Sequence, residues 1–147
     1  MNRFLILFLG LLGQGLQQAA AQKPVNGLTL SITNLRSNNG FVLISLYKDG
    51  SGYPDNATLA FRNEKVAIYN NKAVIIFPDL PTGSYGIAIL HDENNDQKMN
   101  KNALGLPKEG YGFSNNVMGA FGPPSWKRAS FRYNAGDPSN QSIRARY

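Results

Sequence analysis

A short stretch rich in acids and amides places side-chain oxygen atoms at alternate positions. Its first, third, fifth and ninth places are Asp92, Asn94, Asp96 and Asn100. Oxygen ligands at these intervals on a tight turn can converge on a hard cation such as Ca²⁺. The twelfth place is Ala103 instead of the usual bidentate Glu, although Glu109 could fold back toward the turn. The stretch predicts a structural turn whose side chains bind their own backbone, with weak calcium binding left open.

The one histidine of the sequence directly precedes this stretch. His91 is followed by two carboxylic acids, and a histidine–carboxylate pair can act as a general base. A hydrolase also needs a positioned nucleophile, and Ser114 is not part of a Gly-x-Ser-x-Gly elbow. A zinc site needs three or four ligands, whereas the sequence has one histidine and no cysteine. We therefore expect His91 to order the start of the following loop, with a hydrolase as the least favoured alternative.

Aromatic and amide side chains are interleaved further along the chain. The set comprises Tyr111, Phe113, Asn115, Asn116, Phe121 and Trp126. Rings supply contact area and amides fix orientation, so the set would suit a carbohydrate-binding module. The same residues could instead form a small local core that holds a loop in place. We favour the local core and keep the carbohydrate-binding module as the alternative.

Short strands are the elements that must position these residues. Apolar and polar residues alternate between clusters of Gly, Pro and Asn, which is typical of an all-β protein. Strands are expected at residues 28–33, 41–47, 65–69, 72–77, 84–91, 129–133 and 142–147. Asn70 and Asn71 predict a hairpin turn, since Asn tolerates positive φ. The pattern predicts a seven-stranded immunoglobulin-like or prealbumin-like β-sandwich.

One long segment interrupts the alternation between the fifth and sixth expected strands. Residues 92–126 far exceed the ~12–15 residues of an ordinary loop, and their apolar side chains argue against disorder. We expect an ordered loop on one end of the sandwich that carries any localised function. Just before the fifth strand, residues 80–85 predict a tyrosine corner, with Tyr85 buried and its hydroxyl bonded to upstream backbone.

Three motifs of the long segment resemble the DUF2141 family, small exported bacterial proteins of unknown function. They span residues 91–96, 105–116 and 121–126, and the resemblance extends over residues 26–147. The resemblance implies a prealbumin-like β-sandwich in the cell envelope or outside the cell. The chain departs from the family pattern at Gln97, where a turn Gly is usual, and at Asn100, where an acid is usual. The family implies no established reaction and therefore no catalytic residues.

The N-terminal residues predict export. Arg3, an apolar run at residues 4–12 and the Ala-rich end at residues 19–21 are the parts of a secretory signal peptide. The run is too short to span ~30 Å of hydrocarbon, so no transmembrane helix is expected in the mature chain. Residues 1–21 are thus expected to be removed near Gln22, leaving residues 22–147 as a single β-sandwich domain. The lack of cysteine excludes a disulfide scaffold and thiol catalysis.

The charge and the motifs together predict a class of function. The chain carries 15 Lys and Arg against 9 Asp and Glu, and several cations cluster on the last two expected strands. On an exported protein this balance favours a solvated edge, or contact with an anionic polymer or lipid, over nucleic acid. We expect a periplasmic, outer-membrane-associated or secreted binding or structural module that is not an enzyme. Its expected partner is an envelope protein or a glycan, bound through residues 92–126, with no cofactor unless calcium binds.

Overall fold

The computed structural model describes residues 26–147, and the predicted signal peptide lies outside the described residues. Over this range the chain is all-β, with eight strands in two sheets. The strands are β1 (Gly27–Thr33), β2 (Phe41–Lys48), β3 (Arg62–Ala67), β4 (Ala73–Phe77), β5 (Gly83–Asp92), β6 (Gly110–Phe113), β7 (Phe131–Tyr133) and β8 (Pro138–Arg144). The single short helix of this part of the chain is α1 (Trp126–Ala129), and 3₁₀ turns lie at Ala57–Leu59 and Ser114–Asn116.

The smaller sheet has three strands in the order β4-β1-β8. Strand β1 is antiparallel to β4, with Leu30 opposite Ile75, and parallel to β8, with Ile32 opposite Ile143. A parallel pair needs a long crossover between its strands. Here the crossover is nearly the whole domain, because β1 is the first and β8 the last strand of the described chain.

The larger sheet has the order β3-β2-β5-β6, and β7 also pairs with β5. Strand β2 is central, as its apolar residues on both faces predict, and it pairs with β5 from Phe41–Asp92 to Lys48–Tyr85. Strand β5 has ten residues, so its other edge accommodates two short partners in succession. Strand β7 pairs with its first part and β6 with its last part, next to His91.

A single core lies between the two sheets. It is built from alternate residues of the longest strands, which are Leu28, Leu30, Ile32, Val42, Ile44, Leu46, Tyr85, Ile87, Ile89 and Ile143. Each of these side chains is at most 4% exposed. Full burial of such a side chain is worth about 1.5–3 kcal/mol, so the alternation of the sequence decides which face of each strand turns inward.

The tyrosine corner is confirmed. Tyr85 has no exposed surface, and its hydroxyl donates a hydrogen bond to the carbonyl oxygen of Pro81 at 2.8 Å. The corner fixes the entry of the chain into β5, because the hydroxyl ties the strand to the turn that precedes it.

The hairpin expected around Asn70 and Asn71 is only partly present. Both residues have positive φ, 48° and 58°, and the backbones of Tyr69 and Lys72 exchange two hydrogen bonds of 2.8 and 3.0 Å. The flanking strands, however, belong to different sheets, because β3 pairs with β2 and β4 pairs with β1. The conformation of the turn depends on Asn70 and Asn71 themselves, whereas the partner of each flanking strand depends on apolar residues far away in the sequence.

The long segment contains a strand that the sequence pattern did not reveal, so the expected count of seven strands is wrong. Strand β6 reads Gly-Tyr-Gly-Phe, and Gly usually signals a turn. Here the two glycines make room for close neighbours. A Cβ on Gly110 would lie 2.5 Å from the ring of Tyr147, and one on Gly112 would lie 2.7 Å from the side chain of Ile143.

Several other boundaries also differ from expectation, since β3 begins at Arg62 instead of residue 65, and β8 spans Pro138–Arg144 instead of residues 142–147. Ala129 was expected to begin a strand but ends α1, so β7 begins at Phe131. Beyond β8, Arg146 exchanges two backbone hydrogen bonds of 2.9 and 2.8 Å with Tyr111 of β6. This bridge joins the two sheets along one side of the core. Between residues 26 and 147, no helix has both the length and the apolar character needed to cross a bilayer.

Candidate functional site

The segment of residues 92–126 begins with a buried carboxylate. Asp92 ends β5 and has no exposed surface. Its Oδ1 accepts a hydrogen bond from the backbone N–H of Asp96 at 3.2 Å, and its Oδ2 accepts one from Gln97 at 3.0 Å. These bonds close the turn that follows the strand. Gln97 has a φ of 60°, so it takes up the left-handed conformation that Gly adopts most readily.

The other three expected calcium ligands bind one another. The Nδ2 of Asn94 donates to Asp96 at 3.0 Å and to Asn100 at 2.8 Å, and the Nδ2 of Asn100 donates to Asp96 at 2.7 Å. The backbone N–H of Lys98 completes the set by donating to Asp96 at 2.9 Å. The hydrogen bonds from Asn100 and then Asn94 lower the pKa of Asp96 because they stabilise its charged form.

Glu109 folds back toward this turn, as the sequence allowed. Its carboxylate is 4% exposed and joins two distant parts of the segment. One oxygen accepts from the backbone N–H of Glu93 and the other from that of Asn100, both at 3.0 Å. Within residues 26–147, no three His, Cys, Asp or Glu side chains are grouped closely enough to hold a metal ion. Asp92, Asp96 and the two amides beside them are the residues that would contact calcium, and each already serves the turn.

His91 is completely buried, and both of its ring nitrogens have partners. Nε2 lies 2.9 Å from the carbonyl oxygen of Asn39, which can only accept, so Nε2 carries the proton. In the neutral ring Nδ1 then accepts from the hydroxyl of Tyr147 at 2.6 Å. That hydroxyl in turn accepts from the backbone N–H of Arg36 at 2.9 Å. These bonds fix the ring at the end of β5, next to the first residue of the segment.

Ser114 is not brought to His91. Its hydroxyl is buried, donates to the carbonyl oxygen of Ala129 at 2.6 Å and accepts from the backbone N–H of Ile87 at 2.9 Å. Ile87 lies four residues before His91 on β5, which corresponds to about 13 Å along a strand. The histidine and the serine are therefore engaged separately in structural hydrogen bonds, without the contact that a nucleophile and its base require.

The aromatic residues divide into a local core and one isolated ring. Phe113 is 7% exposed and makes an edge contact with the half-buried Tyr111, with ring centroids 6.1 Å apart. Tyr53 lies 6.3 Å from Phe113 and 5.5 Å from Trp126, so it joins both rings into one cluster. Phe121, in contrast, is fully exposed. The four expected rings thus do not share one exposed face, and the role of Tyr53 has no signal in the sequence.

Asn115 and Asn116 connect the segment to the rest of the domain. The Nδ2 of Asn115 donates to the carbonyl oxygens of Arg128 and Ser130, both at 3.0 Å. Asn116 pairs with β8 as a backbone would, because it donates to the Ser142 carbonyl and accepts from the Arg144 N–H, both at 2.8 Å. Both asparagines have positive φ, 59° and 53°. Their amides therefore fix the fold of the segment.

An open cleft of about 470 Å³ lies beside the turn. Arg36 reaches across it, donating to Glu93 at 2.9 Å and to the Lys108 carbonyl at 3.0 Å. The hydrogen bond from Arg36 is the main reason that the pKa of Glu93 is lowered, and Ser37 adds a further bond of 2.9 Å. Arg36 was not expected at this site, because it is 57 residues from Glu93 and lies in a different turn.

Residues 100–108 form a small protruding hairpin, here called the tip hairpin. Lys101 bridges Pro107, and the Lys108 N–H donates to the Asn100 carbonyl at 2.8 Å. At its end, the side-chain oxygen of Asn102 accepts from the N–H groups of Leu104 and Leu106 at 2.9 and 3.0 Å. The backbone of the tip hairpin is thus fixed by its own hydrogen bonds.

Comparison with known proteins gives one family. The family described as "Uncharacterized protein conserved in bacteria (DUF2141)" matches residues 30–141, which is most of the chain. Among curated proteins and solved structures, nothing matches.

Proposed function

The chain belongs to the DUF2141 family of uncharacterized bacterial proteins, and from its N-terminal sequence and the geometry of residues 92–126 we propose that it is an exported binding module. It presents residues 92–126 to a partner in the cell envelope or outside the cell and catalyses no reaction. Its fold is an immunoglobulin-like or prealbumin-like sandwich. Support for this fold type comes from the two sheets around one core and from the tyrosine corner at Tyr85.

One observation carries the proposal: four polar side chains of the segment, two buried and two exposed, bind its own backbone or that of the adjoining elements. Asp92 and Glu109 accept only backbone N–H groups, and Asn115 and Asn116 bind carbonyl and N–H groups of α1 and β8. A surface held in this way loses little conformational entropy when a partner binds, which favours recognition. Groups that already serve the fold are poor candidates for the nucleophile or base of a reaction.

Calcium has a secondary place in this proposal. Two carboxylates, Asp92 and Asp96, stand at the ligand positions, and few charges place a site at the weak end of the range, about 10⁻⁴–10⁻³ M. The loop acts first as a structural turn, and calcium at high concentration tightens it. A carbohydrate-binding module is the alternative, and it would rest on the exposed ring of Phe121 together with Tyr111, since Phe113 is buried.

Export is tested by sequencing the N-terminus of protein recovered from the periplasm or the medium. The expected start is near Gln22, after the Ala-rich end of the signal peptide. An intact Met1 on protein that stays in the cytoplasm would contradict export.

Binding is tested by thermal unfolding of residues 22–147 with calcium, with magnesium as the ionic control, and with a panel of glycans. A ligand of the folded protein raises Tm by mass action. We expect the rise to be reduced by Phe121→Ala when a glycan is responsible, and to persist in the matched variant Leu59→Ala, whose side chain is 53% exposed outside the segment. Turnover of ester or glycoside substrates that disappears in His91→Gln would replace the binding module by an enzyme.

A further inference from the structure

The tip hairpin exposes two leucines to solvent. Leu104 is 83% exposed and Leu106 is 57% exposed. Between them, Gly105 has a φ of 78°, and a Cβ placed on it would find no atom within 4 Å. The apolar end is therefore convex and open on all sides. Exposure of two leucines to water is unfavourable. The hydrogen bonds from their backbone N–H groups to Asn102 nevertheless hold the leucines in this exposed position.

The backbone of this end is prepared for an environment without water. A free N–H group in an apolar phase costs free energy unless it has a partner. The N–H groups of Leu104 and Leu106 both donate to Asn102, and the N–H of Gly105 donates to the Asn102 carbonyl at 2.9 Å. The apolar end can therefore leave water with three of its backbone donors already paired.

The base of the tip hairpin is cationic. Lys98, Lys101 and Lys108 are exposed, and the one salt bridge found within residues 26–147 joins Arg36 to Glu93 instead. Of the nearby acids, Asp92 and Glu109 are buried, and Glu93 is neutralised by Arg36. Asp96 is the exposed acid that remains, so the lysines outnumber it. An apolar end next to three exposed lysines complements lipid tails beneath anionic headgroups.

We propose that the tip hairpin docks the protein on an anionic lipid bilayer. Leu104 and Leu106 enter the boundary between headgroups and acyl chains, and the three lysines contact headgroup phosphates. The inference rests on the binding-module function proposed above and names its partner. A bilayer is favoured over a protein groove because a fluid surface closes around a convex apolar end without a matching cavity. Docking is reversible, since two leucines bury far less apolar surface than a lipid anchor.

The experiment is co-sedimentation of residues 22–147 with vesicles. One set contains phosphatidylcholine with about 30% phosphatidylglycerol, which reproduces an anionic surface, and the other contains phosphatidylcholine alone. We expect binding to the anionic vesicles and little to the neutral ones. Raising the salt from about 0.05 M to about 0.5 M should weaken binding, because salt screens the electrostatic attraction between the lysines and the headgroup phosphates.

Matched variants separate the tip hairpin from the rest of the surface. Replacing both leucines (Leu104→Asn with Leu106→Asn) should lower the partition coefficient about tenfold or more, whereas Leu59→Asn should not change it. Lys101→Gln with Lys108→Gln should lower it about fivefold for each amine removed. Lys127→Gln, on α1, is the control for charge alone and should leave binding unchanged. Equal Tm values would show that the exposed substitutions leave the fold intact.

The two proposals fail in different ways. Bilayer docking would be overturned if the wild-type protein did not co-sediment with anionic vesicles. It would also be overturned if the double-leucine variant bound them as well as wild type. A Tm rise with a glycan would still support the binding module in that case. Light scattering that shows a dimer dissociated by the double-leucine change would assign the tip hairpin to a second copy of the chain, and would also overturn docking.

Discussion

The hydroxyl of Tyr147 lies 2.6 Å from Nδ1 of His91 and connects the end of β5 to the chain beyond β8. The guanidinium of Arg36 makes a cation–π contact with the ring of Tyr147, 4.5 Å from its centroid, and the same ring packs against Gly110. The end of β5, the turn at Arg36 and the start of β6 thus meet at the side chain of Tyr147. The buried histidine keeps its orientation because this hydroxyl and the Asn39 carbonyl hold opposite sides of its ring.

Tyr147→Phe is expected to lower the free energy of unfolding by about 1–3 kcal/mol, since it leaves Nδ1 of a buried histidine without a donor. Urea unfolding of wild type, Tyr147→Phe, His91→Gln and the double variant measures the coupling between the two residues. Strictly additive losses would show that the hydrogen bond contributes nothing.

Tyr85→Phe is expected to cost about 0.5–1.5 kcal/mol, the usual net contribution of one hydrogen bond, because the corner bond to Pro81 is lost while the ring stays in the core. The measurement is urea unfolding, with Tyr69→Phe, at a residue 79% exposed, as the matched control. Equal midpoints for the two variants would argue against a stabilising corner.

Stability is expected to fall at alkaline pH. Burial raises the pKa of Tyr47, Tyr53, Tyr85 and Tyr147 above their ordinary value near 10, because it disfavours the phenolate. The folded state thus holds these protons more tightly, so the stability they contribute is complete below about pH 10 and is lost as pH rises through the raised values. Urea midpoints at about pH 8 and about pH 11 should show the loss, and Tyr85→Phe should reduce it.

Asp92→Ala is expected to destabilise the protein even without calcium, by about 1–3 kcal/mol, because the N–H groups of Asp96 and Gln97 lose their acceptor. Asp55→Ala, at an exposed position in another loop, is the control. In wild type, about 10 mM calcium should add about 1.4–2.7 kcal/mol if the dissociation constant is about 10⁻⁴–10⁻³ M, and Asp92→Ala should abolish the gain. Sub-micromolar calcium binding by calorimetry would make the loop a dedicated metal site.

Asn116 tests whether the amides hold the segment on the domain. Asn116→Gly keeps the positive φ but removes both bonds to β8, and we expect a loss of about 1–3 kcal/mol. Asn116→Ala should lose about a further 1 kcal/mol, because a side chain with Cβ is strained at that φ. Asn140→Ala, an exposed change on β8 itself, is the control. Hydrogen exchange at residues 110–116 should rise in the Asn116 variants and not in the control.

Much of the fold could be predicted because alternating apolar residues decide which face of a strand is buried. The residues of β1, β2 and β5 turn inward as their pattern requires, and Tyr85 occupies the corner that its turn predicts. Strand β6 was missed because its glycines suggested a turn. They are required instead because Tyr147 and Ile143 leave no room for a side chain, and these two residues are distant in sequence. The sheet assignment of β4 was missed because a turn at Asn70 fixes four residues and not the partner of the next strand.

The contacts of the candidate site can also be divided into those between residues close in sequence, which could be predicted, and those between distant residues, which could not. The Asx turns from Asp92 to Asn100 and the return of Glu109 follow from residues close in sequence. Arg36 and Tyr147 could not be assigned, since they are separated by 111 residues and meet only after the sheets have formed. Tyr53 likewise reaches Trp126 from another loop.

The pairing of β1 with β8 affects when the chain can fold during its synthesis. Asn34 bonds to Ala145, 111 residues away, so β1 lacks the second of its two partners, β8, until the end of the domain has been synthesised. Contacts of such long range form slowly, because closing the loop costs entropy before the strands gain their bonds. The smaller sheet of this topology can therefore be completed only after the whole domain has been synthesised.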